Sequence, residues 1–347
     1  MSREDIHMKK LALIAASIAT AAFGFSATAN AECGEVTVGE ANWSTAQILA
    51  QIDGFVLEHG YGCSVTFTPT STTQTLALAQ GSAGPLVVSE FWNLGVDQDV
   101  LAAAVADGEI ELTGKPFPEA GEFWYVSPAF AEAYPEIDTV AELIDRPDLF
   151  PSPTVDGAGG FYGCPIGIGW GCEHNNTALF KLWGMEDKGW NLENPGSFEG
   201  MNSIITDAYV SNGNWVGYYW TPTAIAIENE LVALDWGVEF DQSVWDGCVM
   251  AHREADALPA SCEVPTPAAW TPSDIATATT PALRDTGAYD YVLSRELPMA
   301  VLGALDAYMG ANQASAADTA KVFLSEYQDM WTSWVDADVA DAVLAAL

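Results

Sequence analysis

The chain has 347 residues, of which 48 are Asp or Glu and 11 are Lys or Arg, so its formal net charge is −37. A surface with this charge repels nucleic acids and anionic membranes and attracts cationic ligands weakly, so no nucleic-acid partner is expected. The length is sufficient for two domains of ordinary size.

The first 31 residues have the pattern of a secretory signal. Two lysines precede an apolar stretch over residues 11–22, and a small-x-small cleavage site ends at Ala31. The apolar stretch is too short to anchor the chain in a bilayer. We therefore expect export and cleavage after Ala31, with Met8 as the alternative to Met1 as the start of translation.

Strand-like and helix-like patterns alternate in the first part of the chain. Apolar alternation predicts strands over 35–39, 64–68 and 86–89, and helical periodicity predicts helices over 44–59 and 72–80. The order β-α-β-α-β predicts a parallel sheet with right-handed crossovers, which places the chain in the α/β class.

Two tryptophans and a glutamate lie where strands of this sheet end. Trp43 follows the first strand, and Glu90 and Trp92 follow the third. Ligands of open α/β sheets bind beyond the carboxyl ends of the strands, so these side chains are candidates for a site. Core packing is the alternative for the rings, and an ordinary strand-end carboxylate is the alternative for Glu90.

A glycine-rich loop at 163–173 contains four glycines, two cysteines and Trp170. A helix follows, so the amides of Gly171 and Cys172 are expected at its N-terminus, where unpaired N–H groups attract anionic oxygens. This loop therefore has an aromatic face for a cation and amides for an anion. The alternative is a surface loop with a structural disulfide.

Aromatic strands and an irregular segment make up much of the second part of the chain. Strands are predicted over 121–128, which contains Trp124, and over 214–220, which ends at Trp220. Residues 241–269 are irregular, and we expect a hairpin closed by a disulfide. Helices predominate from residue 281 onward.

Six cysteines remain after the expected cleavage, and an even number in an exported chain indicates disulfides. Their spacing favours two local loops and one bridge between the starts of adjacent strands. The predicted disulfides are Cys164–Cys172, Cys248–Cys262 and Cys33–Cys63. A metal site is not expected, because the chain has no CxxC pair and only four histidines.

Catalytic motifs are missing from the sequence, which has no GxSxG, phosphate-binding P-loop or HExxH pattern. Its thirteen tryptophans favour binding, because indole faces attract quaternary ammonium groups by about 1–2 kcal/mol per desolvated face. The alternative is a secreted sugar-binding protein or hydrolase with a tryptophan platform, for which Asn42, Asn93 and Asn175 are the nearest polar partners. A calcium-binding excursion is a third possibility, although no Asp-x-Asp-x-Asp-Gly loop is present.

The loop Gly-Cys-(x)4-Gly-Trp-Gly-Cys-Glu at 163–173, together with Tyr-Tyr-Trp-Thr-Pro at 218–222, resembles the periplasmic substrate-binding proteins of ABC transporters for glycine betaine, proline betaine and choline. The segments at 90–92 and 123–128 are similar to that family as well. The resemblance implies a two-lobed type II periplasmic binding protein fold, in which each lobe is a mainly parallel sheet flanked by helices. The lobes would close on the ligand about a hinge.

The resemblance also implies a box of tryptophans around a trimethylammonium group, with backbone amides for a ligand carboxylate. The implied ligand-binding residues are Trp92, Trp170 and Trp220, with Trp43, Trp124, Glu90, Gly171 and Cys172 as further members. Some relatives have a histidine four residues after the first of these tryptophans, where this chain has Val96. This departure gives weight to trimethylamine N-oxide or choline over a carboxylated ligand, and a protonated Glu90 would be a donor to an N-oxide oxygen.

We therefore expect a periplasmic receptor, not an enzyme, that delivers a small methylated ammonium osmolyte to an inner-membrane ABC permease. It would act as a monomer without a cofactor. Lobe I is predicted from 32–120 and 270–347, lobe II from 121–240, and the excursion from 241–269 near the hinge or rim.

Overall fold

A computed structural model describes residues 33–118, 120–272 and 274–347. The expected export signal and its cleavage site lie outside these ranges. Within them, no helix combines the length and the apolar character needed to cross a bilayer.

The described residues form ten β-strands and fifteen α-helices. The strands are β1 (Glu35–Ala41), β2 (Ser64–Thr70), β3 (Leu86–Trp92), β4 (Glu111–Thr113), β5 (Gly121–Val126), β6 (Gly159–Tyr162), β7 (Trp190–Glu193), β8 (Val216–Thr221), β9 (Val232–Ala233) and β10 (Ile275–Thr279). The helices are α1 (Ser44–Phe55), α2 (Thr75–Gly81), α3 (Gln98–Ala106), α4 (Pro128–Ala133), α5 (Val140–Leu143), α6 (Cys172–Leu182), α7 (Phe198–Val210), α8 (Ala224–Glu228), α9 (Gln242–Val244), α10 (Ala251–Ala255), α11 (Tyr289–Ser294), α12 (Met299–Asn312), α13 (Ala316–Glu326), α14 (Gln328–Trp331) and α15 (Ala337–Ala346).

The strands form two five-stranded sheets, each with its own set of helices. The first has the order β2-β1-β3-β10-β4, and the second has the order β7-β6-β8-β5-β9. We call the part built on the first sheet the first lobe and the part built on the second sheet the second lobe. The predicted two-lobed α/β architecture is confirmed.

Both sheets are mixed, whereas mainly parallel sheets were expected. In the first lobe β1 is parallel to β2 and β3, but β10 is antiparallel to β3 and β4. In the second lobe β6 is parallel to β7 and β8, but β5 is antiparallel to β8 and β9. The reversed strands β5 and β10 are those that follow a passage of the chain from one sheet to the other, so they enter the sheet without a βαβ crossover.

The excursion at 241–269 is helical in its first half, so the predicted hairpin is wrong. Asp241 caps this helical segment by accepting bonds from the amides of Ser243 and Val244. Trp245 and Val249, four positions apart, are buried on one face. This spacing of apolar residues, with an acidic N-cap before it, is the pattern of a helix rather than of paired strands.

The structure contains the three disulfides that the spacing predicted. They join Cys33 to Cys63, Cys164 to Cys172 and Cys248 to Cys262, with Cα–Cα distances of 4.6, 5.7 and 5.9 Å respectively. The first lies directly before the parallel strands β1 and β2. The other two close the glycine-rich loop and the excursion, so both irregular segments have covalently fixed ends.

A buried ion pair connects the C-terminal segment to the first part of the first lobe. The guanidinium of Arg295 donates to both carboxylate oxygens of Asp53 in α1, and both side chains are fully buried. The hydroxyls of Tyr291 and Ser89 donate to the same carboxylate at 2.7 and 2.6 Å. This network holds β3, and therefore the strand end that carries Trp92, against α1 and α11.

Candidate ligand-binding site

A cavity at the border of the two lobes collects most of the predicted tryptophans. The first lobe contributes segments after β1, β2 and β3, and the second lobe contributes β5, β8 and the start of α6. The lining residues are Trp43, Thr72, Trp92 and Gly95 from the first lobe, and Glu122, Trp170, Gly171, Cys172, Asn175, Tyr218 and Trp220 from the second. Side chains from both lobes therefore surround one space.

Trp170 makes aromatic contacts with both lobes. Its ring lies 6.0 Å from that of Trp43 and 5.1 Å from that of Trp220, at interplanar angles of 87° and 84°. Its Nε1 donates to Oδ1 of Asn42, in the first lobe, at 2.7 Å. All three tryptophans are at most 5% exposed. Nearly perpendicular indoles form adjoining walls of a box, which is the arrangement that encloses a compact cation.

Glu90 lies at the N–H edges of two of the indoles. Its Oε1 accepts bonds from Nε1 of Trp43 at 2.7 Å and from Nε1 of Trp92 at 2.9 Å. Burial raises the pKa of Glu90 to about 7, although the two indole donors oppose this shift. Glu90 is not among the residues that line the cavity. That Glu90 contacts the ligand stays a prediction, and its second carboxylate oxygen, Oε2, is buried without a hydrogen-bond partner among the described residues.

Glu122 is the carboxyl group that lines the cavity, and the sequence analysis did not identify it. It accepts from the hydroxyl of Tyr218 at 2.7 Å and from Nε1 of Trp270 at 3.2 Å. Burial raises its pKa to about 7, while these bonds and the charge of Arg253 oppose the shift. The position of Glu122 follows from strand pairing, which places it directly opposite Trp220 across the β5–β8 pair and which has no signal in the residues of β5 alone.

Trp124 does not belong to the box. It is fully buried inside the second lobe, where its Nε1 donates to Oδ1 of Asn176 at 2.9 Å. Its ring packs on those of Phe161 and Trp236 at centroid distances of 4.4 and 5.1 Å. Because β5 is antiparallel to β8, its N-terminal end reaches the cavity, and Trp124 lies further inside the lobe than Glu122.

The glycine-rich loop brings its backbone against the first lobe. Gly171 and Cys172 line the cavity at the start of α6, as predicted from the loop's position. A Cβ on Gly171 would lie 2.5 Å from the carbonyl oxygen of Gly95, and one on Gly169 would lie 2.5 Å from Oγ of Ser71. Only glycine permits this close approach of the two lobes at the floor of the cavity.

Arg253, in the excursion, contacts both lobes. Its guanidinium donates to the carbonyl oxygen of Gly95 in the first lobe. It also donates to Oδ1 of Asn175 at 2.8 Å and to the carbonyl oxygen of Gly171 at 3.3 Å in the second lobe. Burial lowers the pKa of Arg253 to about 10, so it remains charged at neutral pH. These three acceptors all belong to cavity-lining residues, which makes Arg253 a bridge between the lobes.

Residues 34–326 match the family model described as the substrate binding domain of ABC-type glycine betaine transport system. None of the curated proteins compared with the chain matches it significantly.

Solved structures resemble the fold at low sequence identity. A choline binding protein of an ABC transporter, in complex with choline, has a TM-score of 0.63 at 14% identity and covers 90% of this chain and 98% of its own. Lactococcal OpuAC, complexed with glycine betaine, has a TM-score of 0.62 at 15% identity and covers 87% of this chain and 100% of its own. The glycine betaine/L-proline-binding protein ProX from Borrelia burgdorferi has a TM-score of 0.64 at 15% identity and covers 89% of this chain and 99% of its own.

Proposed function

The chain belongs to the family of substrate-binding domains of ABC-type glycine betaine transport systems, and from this premise we propose that it is a periplasmic receptor for trimethylamine N-oxide or a similarly small methylated ammonium osmolyte. The observation that carries the proposal is the set of indoles from both lobes around one cavity, with the carboxyl group of Glu122 at its wall. The family is one of transport proteins rather than of enzymes, which disfavours the hydrolase alternative.

The walls of the cavity suit a methylated cation. Trp43, Trp170 and Trp220 are buried and line the cavity, and the ring of Trp170 is nearly perpendicular to the rings of the other two. Each desolvated face contributes about 1–2 kcal/mol of cation–π attraction. Together with Trp92, these rings form the proposed binding box, and Trp124 is not part of it.

The polar group at the wall favours an N-oxide over a carboxylate. A carboxyl group with a pKa near 7 is protonated in a large fraction of molecules at neutral pH, and it can then donate to the oxygen of an N-oxide. A ligand carboxylate would face the ionised fraction of Glu122 unfavourably. The family histidine is replaced by Val96, which is buried and apolar. The amides of Gly171 and Cys172 are the remaining proposed partners for a ligand oxygen.

We also propose that ligand binding closes the lobes and presents them to an ABC permease. Residues 32–120 with 270–347 are assigned to lobe I and 121–240 to lobe II, in agreement with the strands of the two sheets. The cavity lies at their border, so a ligand that contacts both lobes stabilises the closed form through its differential affinity. The protein is proposed to act as a monomer.

The proposal is tested by titrating the untagged mature protein with trimethylamine N-oxide, glycine betaine, choline and a set of sugars, using tryptophan fluorescence and calorimetry. We expect binding of methylated ammonium compounds, with trimethylamine N-oxide tightest. Trp170→Ala should weaken that binding at least about tenfold, because it removes one wall of the box.

Trp334→Ala is the matched control, because this tryptophan stacks on Phe323, outside the cavity. Its ligand affinity should equal that of the wild type. Binding of sugars without any response to methylated ammonium compounds would overturn the proposal.

A further inference from the structure

A buried histidine in α10 has a ring nitrogen without a partner. His252 is fully buried, and its Nδ1 has no hydrogen-bond partner among the described residues. An unpaired buried polar atom is costly and is uncommon in native proteins. Ligand binding at the box does not require this residue, so the unpaired nitrogen calls for another explanation.

His252 lies in a cluster of residues that are typical metal ligands. His174 in α6, His252 in α10 and Asp256 directly after α10 each place one ligand-type atom within 4.8 Å of the other two. Two imidazoles and one carboxylate are a ligand set of zinc sites, in which a fourth position is left for water. The unpaired Nδ1 and the ligand set are independent observations on the same residue, His252.

We propose that His174, His252 and Asp256 bind a divalent transition-metal ion of the Zn²⁺ class. Bonds of about 2.0–2.2 Å to zinc bring ligand atoms to within about 3.5 Å of one another, so the side chains must move by about an ångström. His174 is half-buried and Asp256 is exposed, so both have room to rotate toward the fully buried His252. A metal site was not expected from the sequence, because the chain has no CxxC pair and only four histidines.

Lys181 controls the state of His252 in this site. Its Nζ lies 2.9 Å from Nε2 of His252. When the ammonium donates to Nε2, the neutral imidazole carries its proton on Nδ1. A metal ion on Nδ1 shifts that proton to Nε2, and the ammonium of Lys181 must then move away. Lys181 therefore competes with the metal, and its removal should tighten metal binding.

The position of the cluster gives the ion a structural consequence. It would join α6, whose first turn lines the cavity, to α10, which carries the lobe-bridging Arg253 directly after His252. A metal ion at this point would hold the excursion against the second lobe. Metal binding is thus expected to raise the thermal unfolding midpoint even without an osmolyte.

The test uses the untagged mature protein, stripped with a chelator and titrated with ZnCl₂ by calorimetry. We expect one tightly bound ion per chain and a higher unfolding midpoint. His174→Ala and Asp256→Asn each remove a proposed ligand, so each should weaken binding at least as much as the loss of an outer partner does, which is about 10–100-fold. Lys181→Met should bind zinc more tightly than the wild type.

His59→Ala and Asp246→Asn are matched controls, because neither residue belongs to the cluster. His59 is an exposed histidine of the first lobe, and Asp246 is an exposed carboxylate of the excursion. Both should bind zinc as the wild type does. The proposal is wrong if the wild type takes up no zinc in molar excess, or if His174→Ala and Asp256→Asn retain wild-type affinity. His252 itself is not substituted, because a change at a fully buried side chain would disturb the fold as well.

Discussion

Two buried carboxyl groups with similar pKa values have different positions relative to the cavity. Glu90 accepts hydrogen bonds from two indole N–H groups and is not among the residues that line the cavity, whereas Glu122 is part of the cavity wall. Burial is the main cause of the raised pKa in both. A group in the wall can contact the ligand directly, so we expect Glu122 to make ligand affinity depend on pH.

The first prediction at the residue scale concerns the protonation of Glu122. If its protonated form donates to the N-oxide oxygen, affinity for trimethylamine N-oxide is highest below a pH of about 7 and falls as the pH rises through that value. The fall approaches about tenfold per pH unit well above the pKa. Calorimetric titrations at several pH values measure this dependence.

Two comparisons make this prediction specific. Glu122→Gln keeps an N–H donor and cannot ionise, so its affinity for trimethylamine N-oxide should not change over the same pH range. Choline has a hydroxyethyl group in place of the oxide oxygen and therefore carries a net positive charge. It should bind the wild type more tightly as Glu122 ionises. An affinity for trimethylamine N-oxide that rises with pH in the wild type would contradict the assigned donor role.

At the scale of elements, the excursion at 241–269 contributes a bridge rather than a wall. Asp241 caps its helical start, and the Cys248–Cys262 disulfide closes its base. The segment is therefore held in a shape that presents Arg253 to carbonyl oxygens of both lobes. Each bond from a charged donor contributes about 1.5–3 kcal/mol where it is buried, so this one side chain is expected to stabilise the contact between the two lobes.

Arg253→Met should release the closed form more readily, because the thioether side chain fills much of the same space without donating to either lobe. We expect the dissociation rate of the bound osmolyte to increase by about tenfold or more, since a loss of about 1.4 kcal/mol corresponds to a factor of ten. Stopped-flow tryptophan fluorescence measures this rate.

Arg284→Met is the matched control for that change, because Arg284 is an exposed arginine of the first lobe that pairs with Glu111. Its dissociation rate should equal that of the wild type. An unchanged rate in Arg253→Met would show that the bridge makes no contribution to retention of the ligand.

At the scale of the whole molecule, one buried network joins the N-terminal and C-terminal parts of the first lobe. Asp53 comes from the first helix of the chain and Arg295 from its last quarter, and both are fully buried. Nη1 of Arg295 has no partner among the described residues, so this guanidinium depends on Asp53 for its compensation. The network is therefore expected to stabilise the lobe only while both partners are present.

Asp53→Asn should lower the free energy of unfolding by about 3–5 kcal/mol, because it leaves a buried charge without its counterion. Urea denaturation followed by circular dichroism measures this loss. Asp148→Asn removes the carboxylate from an exposed ion pair with Arg146 and should leave the denaturation midpoint unchanged. Similar midpoints for the two variants would contradict the assigned role of the buried pair.

Several features of the molecule followed from local patterns in the sequence. The periodicity of a strand is set by residues that are neighbours in the chain, so the strands were predictable. The Cys164–Cys172 and Cys248–Cys262 disulfides close short loops, so their pairing was predictable as well. Trp43, Trp92 and Trp220 were located for the same reason, because each lies at the carboxyl end of a predicted strand. In parallel strands those ends meet at one edge of the sheet.

Strand direction and long-range contacts were decided by the tertiary structure. The reversal of β5 brought Glu122 to the cavity and left Trp124 in the core, and the direction of a strand has no signature in its own residues. The contact of Glu90 with two indoles depends on Trp43, after β1, lying beside Trp92, at the end of β3. Arg253 and the His174–His252–Asp256 cluster likewise depend on α6 and α10 lying side by side, which follows from packing rather than from sequence order.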